Sequence, residues 1–285
     1  MDGYIISATP GREGSLGVIR GDCLFHFDKD VSSILGGIQG FLSSLPHSLR
    51  LVESLLDTTT GPCIKLEQQM LSPVASRDRK AFGVGKSFAA HAREMGGGGV
   101  SFFVKGGSSL VGHNHPIVVP TALKKVDYEG EIVVVISSKL RHPSSLREVR
   151  AALAGYTAGN DVTDRGLQEE MTWSIAKSID TFGPVGPGLY IPSDDRFLED
   201  LCLETRLNAE VVQKACTSDM VASPESIIMR LASLVTLTPG TIVFLGTPSG
   251  VGHARDPPRY LRKGDVVEVK VGYLPALVNR VETSG

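Results

Sequence analysis

The sequence predicts an α+β fold dominated by mixed β-sheet, and three observations carry that expectation. Runs of β-branched and aromatic residues bounded by turn residues, such as "GYIISA", "EIVVVIS", "TIVFL" and "DVVEVKV", outnumber the helical patterns. The helical patterns are short and inserted irregularly, which argues against a regular alternation of strand and helix. The chain has 285 residues, 41% hydrophobic and 21% charged, enough for one large domain or one with a small companion.

Taken in order, "GYIISA", "SLGVIR" and "CLFHF" read as short strands separated by turn residues. "SSILGGIQGFLSSL" has helical apolar spacing weakened by glycines, and "SLRLVESLL" is a better helix. From "KLEQQMLSPV" onward strands and loops prevail. A boundary near residue 75 follows, with a small N-terminal domain over 1–75 and a main domain over 76–285. In the main domain, "SSLREVRAAL" opens with Ser145 and Glu148 in capping-box spacing, and Gly155 is expected to stop it. "SPESIIMRLASLV" offers Ser223 as N-cap, Pro224 at the first helical position, and Ile227, Ile228, Leu231, Leu234 and Val235 along one face. "TPG" makes a turn into the buried strand "TIVFL", and the alternation of "DVVEVKV" marks a half-exposed strand.

Charge and composition narrow the function. A net charge of −2 gives no electrostatic footprint for nucleic acid or an anionic membrane. "MDGYIISATPGREG" lacks the basic start and apolar core of a signal peptide, and no stretch approaches the roughly 18 apolar residues of a membrane span. Cys23, Cys63, Cys202 and Cys216 form no C-x-x-C pair. Free thiols in a reducing compartment, and so a cytoplasmic protein, are the expectation.

The stretch "DYEGEIVVVIS" poses the chemical question, because a buried strand begins with two carboxylates. Residues i and i+2 of a strand share a face, about 6–7 Å apart, so Glu129 and Glu131 can converge on one ion, with Gly130 leaving its own face clear. "AGYTAGNDVTDRGLQ" places Asp161 at the end of another strand-like segment, followed by Thr163, Asp164, Arg165 and Gln168. A third carboxylate from there completes an oxygen-only site. Three carboxylates repel one another unless a cation or protons intervene. A hard divalent ion such as Mg²⁺ (or Mn²⁺/Ca²⁺) fits such ligands better than zinc, since no thiolate or histidine stands at ligand spacing.

A second constellation lies in "FAAHAREMGGGG". His91 and Glu94 share a face of a helical turn, and a carboxylate beside a histidine suits general-base work near neutral pH. Gly96 to Gly99 offer a hinge. His113 and His115 are explained by a turn before a strand, His253 by the rim of a pocket, and Trp173 by packing.

These segments, with "AKSIDTFGPVGP", "LNAEVVQ", "TSDM", "LTPGTIVFLGTPSGVG" and "PPRYLRKGDVVEV", stand in the order found in the fumarylacetoacetate hydrolase family, and the chain resembles that family over residues 70 to 283. The resemblance implies a rolled mixed β-structure behind a smaller N-terminal domain, usually assembled as a homodimer. It implies a divalent metal held by Glu129, Glu131 and Asp161, with Lys177 as the active-site lysine. Arg165, Gln168 and Thr247 match residues that meet the substrate. In acylpyruvase-like members a pair matching His91 and Glu94 sits on a lid and activates the attacking water.

The expected substrate is therefore a small oxo acid or dicarbonyl compound. Hydrolytic cleavage of a carbon–carbon bond in a β-diketone or acylpyruvate-type acid comes first, because the His91–Glu94 pair is present. Decarboxylation or isomerisation of a related oxo acid comes second, and a non-catalytic binding subunit third. The chain departs from the family pattern at Lys86, Ser87 and Phe88, at Gly106 and Gly107, at Asp164, Gly166 and Leu167, and at Ala176. With the metal ligands intact and the pocket wall altered, a larger or less polar dicarbonyl from specialised metabolism is expected.

Overall fold

The computed structural model describes residues 3–8, 16–27, 40–42, 44–55, 62–72, 74 and 80–284. Its centre is the strand Gly130–Ile136, buried at every position. Ile132, Val134 and Ile136 enter one core layer, together with Leu203, Val267 and Val269. Val133 and Val135 enter a second layer on the opposite face, with Ile6, Val18, Leu45 and Phe244. Both faces are covered, so the strand reads as an unbroken apolar run rather than an alternating one. Each such side chain contributes about 1.5–3 kcal/mol on burial.

Around this strand runs a sheet of eleven strands among the described residues. Leu153–Asn160 pairs with one edge of Gly130–Ile136 and Ile242–Phe244 with the other, both antiparallel. Beyond Leu153–Asn160 come Gly183–Pro192 and then Gly3–Ala8, Leu16–Arg20, Cys23–His26 and Ile64–Lys65. Beyond Ile242–Phe244 come Ala81–Gly85, paired in parallel, and Ser101–Lys105. The leading strands thus join the same sheet as the central strand through the pairing of Gly3–Ala8 with Gly183–Pro192. A five-stranded sheet packs against the first core layer, in the order Glu210–Cys216, Cys202–Leu207, Val266–Val271, Leu277–Thr283 and Ile117–Val119. The result is α+β, with few and short helices.

The expected strands at 3–8, 16–20 and 23–26 form, as does the helix Leu45–Leu55. Most of "SSILGGIQGFLSSL", and residues 75–79 where the domain boundary is expected, lie outside the described residues. Ser145 caps Leu146–Ala151 by accepting from the Glu148 N–H at 3.3 Å, while the Glu148 carboxylate turns back to Ser144. That helix ends at Ala151, not at Gly155, which lies in the next strand. A Cβ there would come within 1.9 Å of the Tyr190 carbonyl oxygen, so strand packing rather than helix termination requires the glycine. Ser223 caps Pro224–Leu234 as expected.

The cysteines correct the free-thiol expectation. Cys23 is bonded to Cys63, and Cys202 to Cys216. In each case the sheet brings together residues distant in sequence: Cys202 lies directly opposite Cys216 in an antiparallel pair. The thiol argument for a cytoplasmic protein therefore falls. No helix among the described residues is long and apolar enough to cross a membrane.

Candidate active site

Strand register builds the acidic cluster. Gly130 pairs with Asn160 and Glu131 with Gly159. The next step of that ladder is the Asp161 N–H, which donates to the Glu129 carbonyl at 2.8 Å. Asp161 is therefore the cross-strand neighbour of Glu129, and the three carboxylates of Glu129, Glu131 and Asp161 offer oxygens within 4.8 Å of one another, all buried. Gly130 does not leave its own face open, contrary to expectation. A Cβ there would lie 1.9 Å from Thr205 Oγ1, so the second sheet approaches closely at this point.

Three buried cations interleave with these acids. Lys177 Nζ donates to Glu129 and to Asp161, each at 2.6 Å, and to Thr163 Oγ1 at 2.7 Å. Lys105 Nζ donates to Asp161 at 2.7 Å and to the Lys177 and Phe182 carbonyls. Arg165 pairs with both Asp127 and Glu129 at 2.7 Å and donates to Gln168 Oε1 at 3.0 Å. Glu131 has no ion pair among the described residues. Its Oε2 accepts from the Gly246 N–H at 2.6 Å.

The acids respond differently to this setting. Burial alone raises the pKa of Glu129, but Lys177 and Arg165 override it and bring the carboxyl down to about 2. Burial, then the Asp161 and Glu129 charges, push Glu131 well above the usual carboxylate range. Burial depresses Lys105, whereas for Lys177 the Asp161 and Glu129 charges outweigh burial and raise it. A buried carboxylate that repels its two neighbours and lacks a cation suits a divalent ion, and an all-oxygen donor set suits Mg²⁺ or Mn²⁺.

The cluster opens onto a cavity of about 230 Å³, lined among others by Lys86, His91, Phe103, Glu129, Arg165, Gln168, Trp173, Lys177, Thr247 and His253. His91 and Glu94 lie on the helix Ala89–Glu94, with His91 Nδ1 3.0 Å from Glu94 Oε2. Glu94 Oε1 accepts from the Gly250 N–H at 2.9 Å, which ties this helix to the glycine loop after Ile242–Phe244. A carboxylate only accepts, so Nδ1 carries a hydrogen, and in the neutral ring the lone pair is then on Nε2. Gly96, Gly97 and Gly98 follow with φ of 77°, 83° and 108°, a run of left-handed backbone that favours glycine. Lys86 Nζ donates to the Gly97 carbonyl across the base of this segment.

The nine residues singled out from the sequence thus gather around one cavity and the acidic floor behind it. Trp173 packs against Phe103 with ring centroids 6.0 Å apart, and so forms part of the cavity wall as well as the packing. His113 and Asn114 sit in a turn before Ile117–Val119 and are not part of the acidic trio's ligand set. Sequence reasoning assigned no role to three residues of the site: Lys105, Asp127 and Gln213. Asp127 accepts from Arg165 Nε and Nη2 and from the Gly252 and His253 N–H groups, at 2.7–3.0 Å. Gln213 bonds Gly130, Thr247 and Pro248. The partners of these residues come from distant segments, which spacing within a motif does not reveal.

Comparison with known proteins identifies the family. The family model described as "Fumarylacetoacetate (FAA) hydrolase C-terminal" matches residues 80–282. The chain belongs to the fumarylacetoacetate hydrolase family. It is 34% identical over 247 residues to a Bos taurus protein named "Oxaloacetate tautomerase FAHD2A, mitochondrial", covering 85% of this chain and 78% of that one. It is 38% identical over 192 residues to the "Fumarylacetoacetate hydrolase domain-containing protein 2 homolog" of Dictyostelium discoideum, covering 63% of each. Among solved structures, the fumarylacetoacetate hydrolase of Exiguobacterium antarcticum superposes with a TM-score of 0.84 at 28% identity, covering 99% of this chain and all of that one. The expected α+β family fold is therefore the one adopted.

Proposed function

We propose that this chain is a divalent-metal-dependent enzyme that interconverts the keto and enol forms of a short 2-oxo acid bearing a second carbonyl or carboxyl group. The observation that carries the reading is the buried trio of Glu129, Glu131 and Asp161, with Glu131 lacking a cation, behind a cavity that His91 shares. The name of the bovine relative, an oxaloacetate tautomerase, supports keto–enol chemistry over the carbon–carbon hydrolysis expected first.

Glu129, Glu131 and Asp161 would hold Mg²⁺ (or Mn²⁺/Ca²⁺), which when bound supplies Lewis acidity to the oxygens of a 2-oxo acid. Lys177 keeps a full positive charge beside the acids and stabilises negative charge developing on a substrate oxygen. Arg165 and Gln168, fixed to each other, orient a carboxylate. His91 Nε2 takes the proton from the carbon between the two carbonyl groups; the C–H electron pair becomes the new carbon–carbon double bond, and the π pair of the adjacent carbonyl moves onto its oxygen. The same proton then returns to that oxygen, so no atom is gained or lost. Glu94 holds the imidazolium during the transfer.

Hydrolysis is the second reading, because the same Nε2 lone pair can accept a proton from water that attacks a carbonyl. The deciding experiment follows exchange of the C3 hydrogens of oxaloacetate in D₂O, with and without Mg²⁺, alongside ¹⁸O incorporation from labelled water into acylpyruvate products. Metal-dependent exchange that falls about 10²–10⁴-fold in His91→Ala is expected. Exchange no faster than with Mg²⁺ alone sinks the tautomerase reading, and ¹⁸O in a cleaved product establishes the hydrolytic one. A homodimer and a division at residue 75 belong to the same proposal.

A further inference from the structure

The amide of Gln213 determines what the Thr247 hydroxyl offers to the cavity. Gln213 lies on Glu210–Cys216 in the second sheet, with its side chain buried. The Gly130 N–H lies 2.9 Å from one end of its amide. An N–H only donates, so that end is the oxygen and the other is the NH₂. The NH₂ faces Thr247 Oγ1 at 2.7 Å and the Pro248 carbonyl at 2.9 Å, so both its hydrogens are engaged and Thr247 Oγ1 accepts one. The hydroxyl's own hydrogen goes to the Gly130 carbonyl at 3.0 Å. A hydroxyl has one hydrogen and two lone pairs. With the hydrogen committed and one pair taken, a single lone pair remains for the cavity that Thr247 lines.

We propose that Gln213 is a positioning residue that makes Thr247 a pure hydrogen-bond acceptor toward the substrate, so that the site selects a hydroxyl-bearing, enol-type ligand over its keto counterpart. A carboxylate or enolate oxygen would meet a lone pair there and is directed to Arg165 and Lys177 instead. The enol as the natural ligand rests on the function proposed above; the polarity of Thr247 does not.

The test measures calorimetric binding of lactate and pyruvate, a 2-hydroxy and a 2-oxo acid of one skeleton, to the Mg²⁺-loaded protein. Thr247→Val removes the acceptor. Gln213→Met removes the amide donor that pins the Thr247 oxygen and supplies no new polar partner, so the hydroxyl is free to turn its hydrogen toward the cavity. In both variants the preference for lactate over pyruvate, relative to wild type, is expected to fall by about five-fold, and Thr247→Ser is expected to retain it. Equal preference in wild type and Thr247→Val overturns the proposal, even if Gln213→Met does not fold. A loss in Thr247→Val that folded Gln213→Met does not share also overturns it, because Gln213 then does not set the polarity. Loss of ligand preference in the variants, without tautomerisation by wild type, would retire the proposed function and leave this inference standing; tautomerisation without the preference would do the reverse. Where turnover occurs, Thr247→Val should raise KM for the enol more than for the keto form, a split that a merely structural defect would not produce.

Discussion

Glu131 is where the charge balance of the site turns. Asp127, Glu129, Glu131 and Asp161 are four buried carboxylates facing three buried cations, Lys105, Arg165 and Lys177. The partner that Glu131 lacks is the one a divalent ion would supply. Glu131→Gln should therefore weaken Mn²⁺ binding at least ten-fold, measured by titration of the purified protein. It should leave the thermal midpoint of the metal-free protein unchanged or higher, because a buried carboxyl held beside two other acids without an ion-pair partner gives way to an amide of the same shape that cannot ionise. Metal affinity equal to wild type would remove Glu131 from the ligand set. Asp127→Asn acts in the opposite way: Arg165 would keep its charge and lose half its carboxylate partners, at a cost of about 3–5 kcal/mol in urea unfolding. Glu129 and Glu131 were legible as a pair because the period of a strand is two. Asp127 was not, since its role depends on Arg165 and on the Gly252–His253 turn, and no local spacing encodes either.

At the scale of elements, the site depends on how closely the two sheets approach. Gly130 lies between the two glutamates, and the space where its side chain would stand is filled by Thr205 Oγ1 of the second sheet. Gly130→Ala should destabilise the protein by about 1–3 kcal/mol or more through overpacking, read from urea midpoints. Adding Thr205→Ala, which deletes the clashing oxygen, should recover part of that loss. A single variant as stable as wild type would show that the sheets can part without cost. The strand itself was legible from its β-branched run, and Pro224–Leu234 from its Ser-Pro start, because propensity and capping act within a few residues. The end of Leu146–Ala151 and the cysteine pairings were not: Gly155 answers to Tyr190, and Cys202 to Cys216, through register with another strand.

Across the whole molecule, one turn ties together three parts of the fold. The His113 carbonyl accepts from the Leu71 N–H, Asn114 Nδ2 donates to the Leu66 and Gln69 carbonyls, and His113 Nδ1 accepts from the Val278 N–H at 3.1 Å. Residues 66–71 follow the leading strands, and Val278 belongs to the second sheet, so this junction holds the leading segment against the body that carries the site. Burial lowers the His113 pKa to about 4, against a smaller opposing contribution from the Leu66 carbonyl. The folded protein therefore keeps this ring neutral, while the unfolded chain takes up a proton below its ordinary value of 6.5. Stability from this residue is complete above pH 6.5, declines as the pH falls toward 4, and changes no further below that. The span corresponds to about 3 kcal/mol at most. Urea midpoints at pH 7 and pH 5 should fall for wild type. They should fall less for His113→Asn, whose side-chain oxygen can still accept from Val278 but does not titrate. An equal fall in both proteins would mean that His113 is hydrated in the folded state and that the junction opens without cost.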